Sequence, residues 1–208
     1  VIAITDYGAG NLHSIRRALI RLGLDVRVID SPRPLDGAEA VVVPGDGAFG
    51  PAAARLRALG FEERIRAHVR SGRPFLGICL GMQLLFDASE EDGNHVGLGV
   101  LGGRVVRLPA SVKIPHMGWN RLRIVRPSPL LEGVEDGAYV YFVHSYHAVP
   151  ADPALVAATA EYGGAIAAVV GGDNVWATQF HPEKSGAVGA RILANFARWA
   201  VGAGAPGR

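Results

Sequence analysis

Pro74-Phe-Leu-Gly-Ile-Cys79-Leu-Gly-Met-Gln-Leu-Leu-Phe-Asp-Ala88 is the stretch that decides the fold. An apolar run, Pro74 to Ile78, meets a helix-like run, Gly81 to Ala88, with only a glycine-flanked cysteine at the junction. Gly77-Ile78-Cys79-Leu80-Gly81 has the form of a nucleophile elbow, G-x-S-x-G, with sulfur in place of oxygen. A turn this tight requires residues without a Cβ, because a side chain at either flank would strike the strand or the helix. A thiol at a helix N-terminus also faces the positive end of the helix dipole, which favours the reactive thiolate. The plainer alternative for the only cysteine of a chain is a buried structural residue.

Outward from this elbow the pattern alternates. Val1 to Thr5, Leu24 to Ile29 and Ala40 to Val43 are further short apolar runs, each followed by a turn. Between them lie segments of helical periodicity, Leu12 to Leu22 ending at Gly23, and Pro51 to Arg70 with a break near Gly60. Strands alternating with helices imply right-handed crossovers and a parallel sheet covered on both faces. From about Gly97 to Phe180 the pattern changes to strands joined by Gly and Pro turns. Arg121–Val125, Tyr139–His144, Leu155–Ala160, Ala165–Val170 and Val175–Phe180 are among them. These are expected to add antiparallel strands to the same core, and Gly186 to Val201 a closing helix. The fold class expected is α/β: one domain over 1–201, a mixed, mainly parallel sheet flanked by helices, with a frayed tail at 202–208. Ligands of such sheets bind at the carboxyl ends of the strands, where both Pro44-Gly-Asp-Gly47 and Cys79 lie.

The strand at Val175 runs into His181-Pro182-Glu183. In extended backbone, residues two apart point to one face, so the imidazole and the carboxylate can touch. Pro182 has no amide hydrogen, so a strand ladder must stop there or lie at an edge. A histidine beside a carboxylate is a base with its orienter. With Cys79 it makes a Cys-His-Glu arrangement, although alone His181 reads as a satisfied core histidine and Glu183 as a solvated charge.

Composition bounds the function classes. The 208 residues, 49% of them hydrophobic, suit one domain with a sizeable core. A net charge of +2 implies neither nucleic acid nor a membrane surface. One cysteine excludes an internal disulfide framework and fits a reducing cytoplasm, while no apolar run reaches the roughly 18 residues of a membrane span. The chain opens at Val1 inside a strand-like run, so an initiator methionine or a short N-terminal piece is expected to be missing. Gly8-Ala-Gly10 has His13 where a dinucleotide loop needs its third glycine. His144 and His147, three apart on a strand, point to opposite faces and do not suit a metal pair. The arginines at 64, 66, 70 and 73 read as a solvated helical face. No metal or cofactor is expected.

Three segments together carry a resemblance. Gly77-Ile-Cys79-Leu-Gly81-Met-Gln83, Pro44-Gly-Asp-Gly47 and Gln179-Phe-His181-Pro-Glu183 resemble the signatures of class I glutamine amidotransferases. Asp6-Tyr-Gly-Ala-Gly-Asn11, Pro115-His-Met-Gly-Trp-Asn120, Tyr141-Phe-Val-His-Ser-Tyr146 and Lys184-Ser185 narrow it to the glutaminase subunits of imidazole glycerol phosphate synthases. The resemblance implies a cysteine thioester mechanism with Cys79, His181 and Glu183 as catalytic residues. The oxyanion would be held by Gly45, Asp46 and Gly47 and by Leu80, whose amide follows the nucleophile. Gly47, Gln83, Glu91, Ser145 and Tyr146 would hold the substrate glutamine. It further implies a (β/α)8-barrel cyclase as obligate partner, with Asn11, Met117, Trp119, Tyr141 and Lys184 at the junction. An amidotransferase subunit of another kind, such as the one serving pyridoxal phosphate synthesis, a free-standing γ-glutamyl hydrolase and a non-catalytic binding module are the competing readings.

One residue departs from the pattern. Asp46 stands where many such proteins have a small apolar residue. An anion aimed at the oxyanion would raise its energy, so the Asp46 side chain is expected to point away from the thiol.

Overall fold

The computed structural model describes residues 1–203. In chain order the elements are β1 (Ile2–Thr5), α1 (Leu12–Arg21), β2 (Val26–Ile29), β3 (Ala40–Val43), α2 (Phe49–Ala58), α3 (Phe61–Arg70), β4 (Phe75–Ile78) and α4 (Leu80–Gln83). There follow β5 (Ala88–Ser89), β6 (His95–Val96), β7 (Gly103–Arg107), β8 (His116–Arg121), β9 (Arg123–Ile124), β10 (Tyr139–His144) and β11 (Tyr146–Pro150). The chain closes with β12 (Val156–Glu161), β13 (Ala165–Gly172), β14 (Val175–Thr178) and α5 (Gly186–Ala203). Helix α5 thus passes the boundary drawn at 201; the rest of the expected tail, 204–208, lies outside the described residues.

The main sheet has the order β2-β1-β3-β4-β14-β13-β12-β9. Its first five strands are parallel, and β13, β12 and β9 extend it antiparallel. Two smaller sheets lie apart from it, β10-β8 and β11-β7-β5-β6. The central strands are buried on both sides, so alternate residues feed two cores. Ile2, Ile4, Val42 and Ile78 pack with Ile15 and Leu19 of α1 and Ile192, Leu193 and Phe196 of α5. Ala3, Val41, Val43 and Phe75 pack on the opposite face with Phe49, Leu56, Phe61 and Ile65 of α2 and α3. The order reverses between β1 and β3, which leaves a crevice at their carboxyl ends beside the loop after β4.

Local chemistry explains the boundaries. Asn11 caps α1 by accepting from the Ser14 amide at 3.2 Å. The segment from Pro51 to Arg70 is two helices, because Gly60, at φ +78°, turns the chain between them. Arg64 and Arg66 are paired rather than merely solvated, with Asp36 and with Glu62 and Glu63. Arg73 lies past the helix and donates to the carbonyls of Asp36 and Ala38.

Two expectations are corrected. The helix expected over Gly81 to Ala88 is a single turn, Leu80–Gln83. The returning segment takes the carbonyls that a longer helix would use: Leu84 O accepts from Leu98 N at 2.8 Å, Leu85 O from Val100 N at 2.8 Å, and Asp87 O from Gly97 N at 2.9 Å. The strand expected to reach Phe180 ends at Thr178. Pro182 does stop extended structure, and with its fixed φ it opens a 3-10 turn, Pro182–Lys184. Arg121 to Val125 is likewise broken, at buried Leu122, between β8 and β9.

Candidate active site

Cys79 occupies the junction of β4 and α4 with φ 53° and ψ −108°, backbone that a non-glycine residue seldom adopts. Two glycines make room for it. A Cβ on Gly81 would stand 1.8 Å from the Val43 carbonyl oxygen, and one on Gly77 would stand 2.7 Å from the Gly81 oxygen. The strained turn is tied down by Cys79 N donating to Thr178 O of β14 at 2.7 Å. Leu80 opens α4, where the first amides have no acceptor inside the helix and are free for an anion.

His181 leaves the end of β14 in a buried position, 2% exposed. Its amide donates to Tyr141 O of β10, and Ser185 Oγ donates to its carbonyl at 2.6 Å. The ring Nδ1 lies 2.8 Å from Glu183 Oε1, and both side chains are almost wholly enclosed. The 3-10 turn makes this contact, not strand alternation. Burial pulls the His181 pKa down, while the Cys79 sulfur and the Glu183 carboxylate push it up and prevail, leaving it raised to about 10. His181 Nε2 and Glu183 Oε2 are buried without a hydrogen-bond partner. With Nδ1 turned to Glu183, the ring interacts with the Cys79 sulfur through its Nε2 side, by loose hydrogen bonding and by charge. A thiol, an imidazole and a carboxylate so disposed are equipped for acyl transfer through a covalent sulfur adduct.

The loop after β3 closes the other side. Tyr7 Oη donates to Pro44 O at 2.6 Å, and burial raises the phenol's pKa, so it stays protonated. Gly45 is pinned between Tyr7 and Leu80, since a Cβ there would meet them at 2.5 and 2.7 Å. Gly47 has φ +92° and open space around it. The Asp46 carboxylate accepts from the Gly10 amide at 3.0 Å, which turns it toward the loop after β1. A cleft of about 280 Å³ joins this loop to Cys79, Leu80, Gln83, Glu91, Val143, Ser145 and Tyr146.

A match to the family glutamine amidotransferase class-I spans residues 3–199. The imidazole glycerol phosphate synthase subunit HisH of Syntrophotalea carbinolica is 53% identical over 203 residues, covering 94% of this chain and 98% of that protein. The same-named subunit of Desulfitobacterium hafniense (strain DSM 10664 / DCB-2) is 50% identical over 199 residues, covering 96% and 94%. This chain belongs to the class I glutamine amidotransferases, among the HisH subunits. In fold it is similar to a crystal structure of a glutamine amidotransferase, with a TM-score of 0.77 at 23% identity over 97% of this chain and 99% of that one.

Within the amidotransferase, the residues expected to touch substrate have further duties. Glu91 Oε2 accepts from the Phe49 amide at 2.8 Å, capping α2, and burial raises the carboxyl's pKa. Both amide hydrogens of Gln83 are engaged internally, with Tyr146 O at 2.8 Å and Gln179 Oε1 at 3.2 Å. Ser145 sits on the bend between β10 and β11, its carbonyl accepting from Leu108 N at 3.0 Å.

Of the residues expected at the junction, Met117, Trp119 and Tyr141 lie on the β8–β10 ribbon. Met117 and Trp119 are 62% and 55% exposed, on alternate positions of β8. Trp119 stands opposite Tyr141 in the register, with ring centroids 6.0 Å apart. Exposed Lys184 lies in the 3-10 turn beside them, and Asn11 is exposed with its side chain engaged as the α1 cap.

Sequence reasoning gave no role to Gln179, His116, His144 or Asn120, all of which bear on the site. Gln179 Nε2 lies 3.6 Å from Cys79 Sγ. A fully polar residue at a strand end beside the elbow was the signal available. His144 and His147 fall on separate strands, β10 and β11, and no cluster able to hold a metal ion occurs among the described residues.

Proposed function

We propose that the chain is the glutaminase subunit of an imidazole glycerol phosphate synthase, with Cys79 as nucleophile, His181 as acid and base, and Glu183 as its orienter. The buried Nδ1–Oε1 contact of 2.8 Å behind an otherwise unpartnered Nε2, in a site with the only thiol, is the observation that supports it best. In this reading Cys79 thiolate attacks the glutamine side-chain amide carbon, and the C=O electrons move to oxygen. Leu80 N–H and an amide of the Pro44–Gly47 loop hold that oxyanion. His181 Nε2 gives its proton to the departing nitrogen as the C–N bond breaks, releasing ammonia and leaving a γ-glutamyl thioester. The neutral imidazole then takes a proton from water, whose oxygen attacks the thioester, and glutamate leaves with Cys79 restored as thiolate. Gln83, Glu91, Ser145 and Tyr146 line the cleft for the substrate's amino-acid end.

The ammonia serves a (β/α)8-barrel cyclase that makes imidazole glycerol phosphate and an aminoimidazole carboxamide ribonucleotide. In open water ammonia would be protonated and diluted, so the partner must seal against the cleft. Exposed Met117 and Trp119, with half-buried Tyr141 opposite Trp119, supply the aromatic and methionine surface typical of such contacts. A cytoplasmic location suits a nucleophile that must stay reduced. The test is a comparison of nitrogen sources in the assembled synthase. Cys79→Ala abolishes synthesis from glutamine and leaves synthesis from added ammonia intact; undiminished glutamine-dependent synthesis in the variant refutes the assignment.

A further inference from the structure

A ladder of hydrogen bonds runs from β8 to the thiol, and each donor in it is dictated by its neighbour. Tyr146 O can only accept, from His144 Nδ1 at 2.9 Å and from Gln83 Nε2 at 2.8 Å. His144 therefore carries its hydrogen on Nδ1. Burial holds this ring neutral, its pKa lowered to about 3, so its Nε2 is an acceptor. His116 Nδ1, 3.0 Å away, is then the donor, and His116 Nε2 accepts from Asn120 Nδ2 at 3.2 Å. Asn120 is itself fixed, donating to Glu161 O at 3.0 Å and accepting from Arg121 N at 2.8 Å. His116 is clamped between the Phe142 and Tyr162 rings, with centroids 4.6 and 3.9 Å away.

In the other direction, the second amide hydrogen of Gln83 goes to Gln179 Oε1. That sets the Gln179 amide so that its nitrogen, not its oxygen, faces Cys79 Sγ at 3.6 Å. The reverse orientation would put N–H against N–H at Gln83 and an oxygen against the sulfur lone pairs, in a place with no solvent to compensate. We propose that Gln179 is a fixed hydrogen-bond donor that stabilises the thiolate of Cys79, its amide locked in the donating orientation by Gln83, which Tyr146 O orients in turn. A donor aimed at sulfur favours the charged form over the thiol and keeps favouring it as the sulfur leaves the thioester.

Other groups surround this sulfur or line its cleft, and the thiol form donates to Val143 O at 3.8 Å. His181, backed by Glu183, comes from the end of β14, Tyr7 from the loop after β1, and Asp46 from the loop after β3. Glu91 lies beyond β5, and His144 and Tyr146 flank the bend between β10 and β11. Gln179 is the neutral group among them whose contact is a directed N–H, so its removal leaves every charge in place.

The proposal rests on the reading of Cys79 as nucleophile, but its test reads the thiol itself. Because the chain has one cysteine, the rate of alkylation by iodoacetamide against pH reports Cys79 alone. Gln179→Met keeps length and apolar volume and removes the donor; the acid-side midpoint of the rate profile rises by about one pH unit, roughly a tenfold loss of rate well below the midpoint. Gln179→Glu puts an acceptor in the donor's place and raises the midpoint further. Gln83→Leu frees the Gln179 amide to rotate and raises it by less. Midpoints unchanged in Gln179→Met and Gln179→Glu, in variants with wild-type near-UV circular dichroism, overturn the proposal while Cys79 stays an activated thiol. If Gln179→Met fails to fold, Gln83→Leu decides by itself, an unchanged midpoint counting against the proposal. A wild-type thiol that titrates near the ordinary value of about 8.5 and ignores His181→Ala overturns both the proposal and the nucleophile reading.

Discussion

Gly81→Ala tests the elbow at its tightest point. The added methyl carbon would lie 1.8 Å from Val43 O and 2.8 Å from Val43 C, both backbone atoms of a central strand that is 0% exposed. No side-chain rotation relieves such a clash, so α4 and β3 must separate. Overpacking of a buried site costs about 1–3 kcal/mol, and a backbone obstacle puts this change at the upper end, about 3 kcal/mol. For a chain of this size that is a fall in Tm of about 6–12 °C. Separation also carries Cys79 away from Gln179 and His181, and an ångström of misplacement can lower turnover about a hundredfold. Thermal melts and glutamine hydrolysis in the assembled synthase measure the two effects. Gly47→Ala is the control for the melts alone: nothing lies within 4 Å of its Cβ, and with φ +92° only backbone strain of about 1–2 kcal/mol applies. If Gly81→Ala melted and turned over like wild type, the account of the elbow as a turn closed by strand contact would be wrong.

Glu183→Gln keeps the shape of the His181 contact but removes its charge, weakening the support of the imidazolium by about 1–2 kcal/mol. Hydrolysis falls roughly 5–30-fold, less than for His181→Ala, and equal losses would mean that Glu183 does more than orient. Stability should decline on both sides of about pH 6.5, the ordinary histidine value, as urea midpoints across pH would reveal. His181, raised to about 10, contributes stability fully present below pH 6.5 and lost as pH rises toward 10, so Cys79→Ala flattens this alkaline limb. His68, His116 and His144 are lowered by burial to about 4, 4 and 3; their contribution is present above pH 6.5 and lost as pH falls through those values. Trp119→Ala, at an exposed site, leaves Tm within about 1–2 °C yet weakens cyclase binding by about 2 kcal/mol, roughly 30-fold in Kd. Unchanged affinity by calorimetry would remove the β8–β10 ribbon from the interface.

The elements that sequence determined are those whose cause is local. Strands β1 to β4 are short apolar runs closed by turn residues, and α1 and the α2–α3 pair follow from periodicity, the end at Gly23 and the break at Gly60. The elbow was legible because Gly77 and Gly81 bracket Cys79, and the pairing of His181 with Glu183 because only Pro182 separates them. Its geometry was not: extended spacing suggested the contact, and a 3-10 turn begun by that proline makes it. Tertiary structure decided whatever depends on a distant partner. Helix α4 stops after one turn because residues 97 to 101 return to take the carbonyls of Leu84 to Asp87. Asp46 turns to Gly10 because β1 and β3 are neighbours in the sheet, which their separation in the chain does not disclose. Gln179 faces sulfur because a backbone carbonyl, Tyr146 O, orients Gln83, which orients Gln179. Hydrogen-bond polarity passes from group to group only once folding has brought them within about 3 Å, and no spacing along the chain encodes it.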